Sequence, residues 1–206
     1  MNNVSMPIRA KPFEHQKRAY LSALSTMENG QSRGYALLME MGTGKTITSV
    51  AIAGHLYLSG KIRRTLVVAP LSIVGVWQEE FEKFADFDYN LAVLSGIGSK
   101  KADMLGTLSS TGLQVAVVNY ESAWRLEKEI SAWRPDLIIA DEGHKIKTHN
   151  ISASKAMHRL GTLSAYRLLL TGTVITNKAI DVFSQYKFLN PAIFGNSFYS
   201  FRNRYQ

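Results

Sequence analysis

The 206 residues include no cysteine, and 24 lysines and arginines outnumber 16 aspartates and glutamates to give a formal charge of +8. A disulfide scaffold, a thiolate metal site and a cysteine nucleophile are therefore excluded, the length fits one domain with its own core, and the charge favours a polyanionic partner. No uncharged apolar run of about 18 residues and no signal-peptide pattern occurs, so a cytoplasmic chain without a membrane partner is expected.

In chain order, a helix is predicted over 14–27, where Ala19, Tyr20, Ala23, Leu24 and Met27 recur at helical spacing. Apolar runs at 35–39, 65–69, 91–94, 114–118, 137–140 and 167–170 then read as strands, most without the alternation of a half-exposed sheet. Helical patterns at 45–58, 73–84, 100–108, 120–130, 152–160 and 179–189 separate or follow them, with Gly30, Gly60 and Asn190-Pro191 as stops. This alternation predicts an α/β domain in three layers, with a mainly parallel sheet between helices. The basic residues are dispersed: Lys61, Arg63 and Arg64 precede one strand, Lys145 and Lys147 follow another, and Arg202 and Arg204 lie near the end.

Two strand ends carry chemistry. After the first strand, Met41-Gly42-Thr43-Gly44-Lys45-Thr46 opens a helix. Glycines let backbone N–H groups turn inward onto phosphate oxygens, Lys45 can reach the β- and γ-phosphates, and the Thr46 hydroxyl can ligate Mg²⁺. The first glycine of the usual phosphate loop is replaced by Met39, and Gly42 is expected to supply the missing freedom. A lysine opening a helix opposes the helix dipole, a conflict that a bound anion removes. At the fifth strand, Leu137-Ile138-Ile139-Ala140 delivers Asp141 and Glu142, the first suited to hold Mg²⁺ and the second to orient or deprotonate the attacking water. The predicted catalytic set is Lys45, Asp141 and Glu142, and the expected ligands are ATP and Mg²⁺. A third strand ends in Thr171-Gly172-Thr173, whose hydroxyls suit either a link to the Asp141 and His144 region or an ordinary turn.

Together these motifs resemble the N-terminal RecA-like lobe of the Swi/Snf family, superfamily-2 translocases of double-stranded DNA, over nearly the whole chain from Phe13 to Tyr205. His15-Gln16 resembles the segment whose glutamine reads adenine, which makes Gln16 the candidate and 1–30 an adenine-side leader. Met39 through Thr46 resembles the family's phosphate loop, where an acidic residue is usual at 39. Val68-Ala69-Pro70-Leu71 followed by Trp77, Glu80 and Phe81 resembles the family's second strand and helix, whose connecting loop touches the DNA backbone, and Val118-Asn119-Tyr120-Glu121 resembles the next DNA-facing turn. Asp141-Glu142-Gly143-His144 resembles its Asp-Glu-x-His box, with glycine where alanine is commoner.

Leu170 through Asn177 resembles the coupling motif, but Val174 replaces its proline and Thr176 its glutamine or glutamate. The tail over 190–206, with Phe188-Leu189-Asn190-Pro191, Phe194-Gly195, Phe198, Phe201 and Tyr205, distinguishes the resemblance from general helicases and is expected to pack as an aromatic cluster. The resemblance implies a duplex-DNA partner and a second RecA-like lobe with arginines for the γ-phosphate; no such lobe lies within the 206 residues, so the chain reads as half of a motor. A strand-separating helicase, a restriction-type motor and a nucleotide-sensing module without hydrolysis are the alternatives. Compact connections and a short N-terminus point to a phage or prophage source.

Overall fold

A computed structural model describes residues 5–96, 98–172 and 179–205. Helix α1 (Glu14–Glu28) precedes β1 (Gly34–Leu38), followed by α2 (Lys45–Leu58), β2 (Arg64–Ala69), α3 (Val74–Phe84), β3 (Tyr89–Val93) and α4 (Gly98–Thr107). The chain continues through β4 (Leu113–Asn119), α5 (Tyr120–Arg125), α6 (Glu127–Trp133), β5 (Leu137–Ala140), α7 (Ser152–Leu163), β6 (Tyr166–Thr171), α8 (Val182–Leu189) and α9 (Phe198–Tyr205).

Among the described residues the strands form one sheet in the order β1-β6-β5-β2-β4-β3, parallel at every pairing rather than only mainly so. Every strand therefore ends at the same edge, where open parallel sheets bind ligands. Strand β6 lies between β1 and β5, which sets the phosphate-loop strand and the acidic strand about 10 Å apart, two strand spacings. The alternate faces of the strands feed two cores. Leu37, Val67 and Leu168 pack with Tyr20, Leu24, Val50, Trp77 and Phe81 of α1 to α3, whereas Leu66, Ile138 and Leu169 pack with Ala123, Ile130, Met157 and Phe188 from α5 to α8. Burial on both faces explains the near-continuous apolar strands.

Several boundaries depart from expectation by two or three residues, and three departures change an element. The helix predicted over 120–130 is two helices, because Leu126 leaves helical geometry (φ −101°, ψ 19°) and turns the chain while its side chain stays buried. Residues Ala179–Asp181 form a 3-10 turn, and α8 begins only at Val182. The tail forms a helix, α9, opened by Ser197, whose hydroxyl accepts the Ser200 N–H at 3.2 Å. Phe201 is buried at its centre, 5.2 Å from the Phe183 ring and 4.9 Å from Phe194, and Phe198 stacks on His149 at 3.7 Å. Tyr205 is half exposed, so not every aromatic of the tail is covered.

Candidate nucleotide and DNA site

The loop after β1 adopts the backbone that its glycines allow. Gly42 (φ +76°) and Gly44 (φ +92°) are both left-handed, so Gly42 does take over the freedom missing at Met39. Lys45 resolves its conflict with the dipole by folding back, donating from Nζ to the Met39 carbonyl at 2.9 Å and the Glu40 carbonyl at 3.0 Å. Helix α1 clamps the loop from outside. Gln16 Nε2 donates to the Thr43 carbonyl at 3.1 Å, His15 Nε2 meets the same oxygen at 2.8 Å, and Gln16 Oε1 accepts the Phe13 N–H at 3.0 Å. A Cβ on Gly44 would stand 2.2 Å from Gln16 Nε2, so the glycine serves close approach as well as φ. The sequence-predicted adenine residue is thus seated against the phosphate loop, with its amide bonded on both sides.

Asp141 follows β5 and is buried. Its Oδ2 accepts the Trp77 indole N–H at 3.0 Å, Oδ1 accepts the Glu142 N–H at 2.9 Å, and its backbone carbonyl accepts the Tyr120 hydroxyl at 2.6 Å. Burial pushes the Asp141 carboxyl above the usual carboxylate range, opposed by the hydrogen bonds from Trp77 and Glu142. Burial and the adjacent carboxylates of Asp141 and Glu142 hold the Tyr120 phenol well above its ordinary value, so Tyr120 remains a donor. Glu142 sits in left-handed backbone (φ 50°, ψ 56°), uncommon for a residue with a Cβ, and its Oε2 lies 3.2 Å from His144 Nδ1. Glycine at 143 also has a local cause. A Cβ there would meet Leu169 Cγ at 2.5 Å, so Leu169 fills the volume of the commoner alanine.

Both strand ends open on one cavity of about 310 Å³, lined by Met41, Gly42, Gly44, Lys45, Thr46, Ile73, Val76, Glu80, Asp141 and Glu142. The structure thus brings together the predicted Lys45, Thr46, Asp141 and Glu142, with Gly42 and Gly44. Thr43 and Gln16 stand behind the loop. Sequence reasoning gave Glu80 no role. Its spacing of three from Trp77 on a helix was the available signal, and burial raises its carboxyl. No group of three or more His, Asp or Glu side chains among the described residues is placed to hold a metal. The donors present fit Mg²⁺, which takes one or two protein oxygens and completes its shell with phosphate oxygens and water.

Thr171 is fully buried on β6, and Gly172 packs beside the phosphate loop, where its Cβ would be 3.5 Å from the Met39 carbonyl. Thr173, Val174, Ile175, Thr176 and Asn177 lie outside the described residues. Of the two turns expected to face DNA, residues 70–72 enter a 3-10 turn with Leu71 exposed. Asn119 caps α5 by accepting the Ser122 N–H at 2.7 Å and lines a second cleft of about 440 Å³ with Gly96, Lys101, Glu121, Ser122, Arg125 and Leu126. No helix among the described residues is long and apolar enough to cross a membrane.

The chain is similar to human DNA repair and recombination protein RAD54B, 31% identical over 202 residues, covering 93% of this chain and 21% of RAD54B. Yeast RDH54, also a DNA repair and recombination protein, is 30% identical over 197 residues, covering 84% of this chain and 21% of that protein. The Sulfolobus solfataricus SWI2/SNF2 ATPase core in complex with dsDNA superposes with a TM-score of 0.83 at 27% identity, over 98% of this chain and 41% of the core. The chain thus spans about a fifth of these curated relatives and two fifths of the archaeal core, and its fold is RecA-like. Residues 15–206 match the family model described as the SNF2-related domain, and the chain belongs to that family.

Proposed function

We propose that residues 1–206 form the first ATP-binding lobe of a motor that hydrolyses ATP and translocates on double-stranded DNA. The observation that carries the reading is the convergence of Lys45, Thr46, Asp141 and Glu142 on one cavity at the C-terminal edge of the sheet. Lys45 and the N–H groups of 42–46 bind the phosphates, Gln16 reads the adenine by exchanging its amide bonds to the Thr43 carbonyl and the Phe13 N–H, and Thr46 and Asp141 would hold Mg²⁺. A magnesium ion held by Thr46 and Asp141 would supply positive charge against the developing charge of the phosphates. Glu142 orients the attacking water and accepts its proton, with His144 beside its carboxylate.

The turns at 70–72 and 119–121 take the DNA backbone, aided by Lys101 and Arg125 at the second cleft. These contacts go to phosphates rather than base edges, so affinity falls with salt and carries little sequence preference. That two fifths of the archaeal core match supports a requirement for a further RecA-like lobe, whose arginines reach the γ-phosphate. Calorimetry with MgATP tests the assignment: Lys45→Ala should weaken binding because a charge-assisted contact to phosphate is lost, and unchanged affinity rejects it. Duplex-stimulated ATPase of the two-lobe protein without strand separation distinguishes translocation from unwinding.

A further inference from the structure

We infer that Tyr120 and Trp77 are positioning residues that tie the orientation of Asp141 to occupancy of the second cleft by a phosphodiester backbone. This rests on the functional reading above and adds a regulatory connection to it. Asp141 is gripped from outside its own strand by two donors, the Tyr120 hydroxyl on its carbonyl at 2.6 Å and the Trp77 indole on Oδ2 at 3.0 Å. Neither donor comes from the phosphate loop. Tyr120 is the first residue of α5, directly after β4, and Trp77 stands on α3, directly after the turn that follows β2. Two of the connections at the C-terminal edge, those after β2 and β4, therefore lead into helices that each send one aromatic side chain inward to the same aspartate.

The cleft side of α5 carries the other half of the device. Asn119 caps the helix through Ser122 N–H, and the Ser122 hydroxyl accepts from Lys101 Nζ at 2.6 Å. Asn119, Ser122 and Lys101 all line the second cleft, while Tyr120 is buried and points away from it. A phosphate entering the cleft competes for the Lys101 ammonium and for the donors around Asn119, which resets the first turn of a helix only six residues long. The Tyr120 hydroxyl moves with that turn. Filling the core would require only the ring, and phenylalanine would fill the same space; the hydroxyl bond to the Asp141 carbonyl is what a coupling element needs.

The test is a calorimetric cycle on this chain, in which a non-hydrolysable MgATP analogue and a short blunt DNA duplex are titrated singly and each in the presence of the other. In the unmodified chain, duplex should change nucleotide affinity by ~5-fold or more, and nucleotide should change duplex affinity by the same factor. Tyr120→Phe should bring that factor below about 2-fold whatever it does to either single affinity, because loss of one independent binding contact or of stability alone leaves the factor unchanged. Trp77→Phe should also lose the coupling, with nucleotide affinity reduced because Oδ2 loses its donor. Coupling retained in Tyr120→Phe, or single affinities that fall with the factor unchanged, overturns the inference. If the unmodified chain binds both ligands independently, this inference alone falls. If it fails to bind nucleotide or fails to bind duplex, the functional reading falls and this inference with it.

Discussion

Replacing Gly44 with alanine probes the clamp between α1 and the phosphate loop. The new Cβ would sit in left-handed backbone, at φ +92°, and 2.2 Å from Gln16 Nε2. Left-handed geometry with a Cβ costs about 1–2 kcal/mol. Displacing the Gln16 amide breaks its bonds to the Thr43 carbonyl and the Phe13 N–H, at about 0.5–1.5 kcal/mol each. Gly44→Ala should therefore lose roughly 2–5 kcal/mol of stability. Gly42→Ala serves as the control: it has φ +76° but nothing within 4 Å of its Cβ, so only the backbone term of about 1–2 kcal/mol remains. Urea unfolding of both variants reads the difference, and a third measurement isolates its source. On a Gln16→Ala background, the cost of Gly44→Ala should fall toward that of Gly42→Ala, leaving only the added contact with Ile47 Cγ2 at 3.0 Å. Equal losses at the two glycines, or a Gly44 loss indifferent to Gln16, would refute the clamp.

Gly143→Ala overpacks the Leu169 side chain and should cost about 1–3 kcal/mol, less on a Leu169→Ala background; an additive double variant by chemical denaturation contradicts the steric account. Glu142→Gln should keep nucleotide affinity but abolish turnover in the two-lobe protein, since an amide cannot accept the water's proton; calorimetry paired with phosphate release checks both halves. His158 is buried, and burial, chiefly, holds its imidazole down at about 4. Because the unfolded chain takes up that proton first, stability should fall as pH drops below about 6.5 and level off below about 4, with about 2 kcal/mol lost between pH 7.5 and 5. His158→Gln should flatten that part of the profile in urea melts, and an unchanged slope removes His158 as its source. Steady-state phosphate release by this chain alone should be slow even with saturating duplex, by ~10³-fold or more against the two-lobe protein; a fast monomeric rate would defeat the two-lobe argument.

What the sequence made legible was whatever repeats or is chemically obligatory. Six strands stood out because burial on both faces leaves little but apolar residues, and α2 was bounded correctly at Lys45–Leu58 by the glycine before it and Ser59-Gly60 after it. The break at Leu126 was hidden because Leu126 and Ile130 keep a helical spacing although the chain turns between them. Helix α9 carried its own signal in the Ser197 cap, masked by the Asn-Pro and glycine signals just before it. That Lys45, Thr46, Asp141 and Glu142 meet in one cavity was readable because the proposed phosphate and magnesium chemistry restricts the residue types. The Trp77 and Tyr120 bonds to Asp141 span 64 and 21 residues, and no local pattern records which distant donor meets a carboxylate.

The folded-back lysine has a thermodynamic consequence for ligand choice. Lys45 already has two internal acceptors, the Met39 and Glu40 carbonyls, so binding a phosphate is an exchange of ligands around an ammonium that is never bare. Neutral carbonyls compete poorly against a multiply charged polyphosphate and far better against a weakly charged or neutral oxygen donor. On the proposed reading, this exchange would favour ligands of high charge density at Lys45 over weakly charged ones.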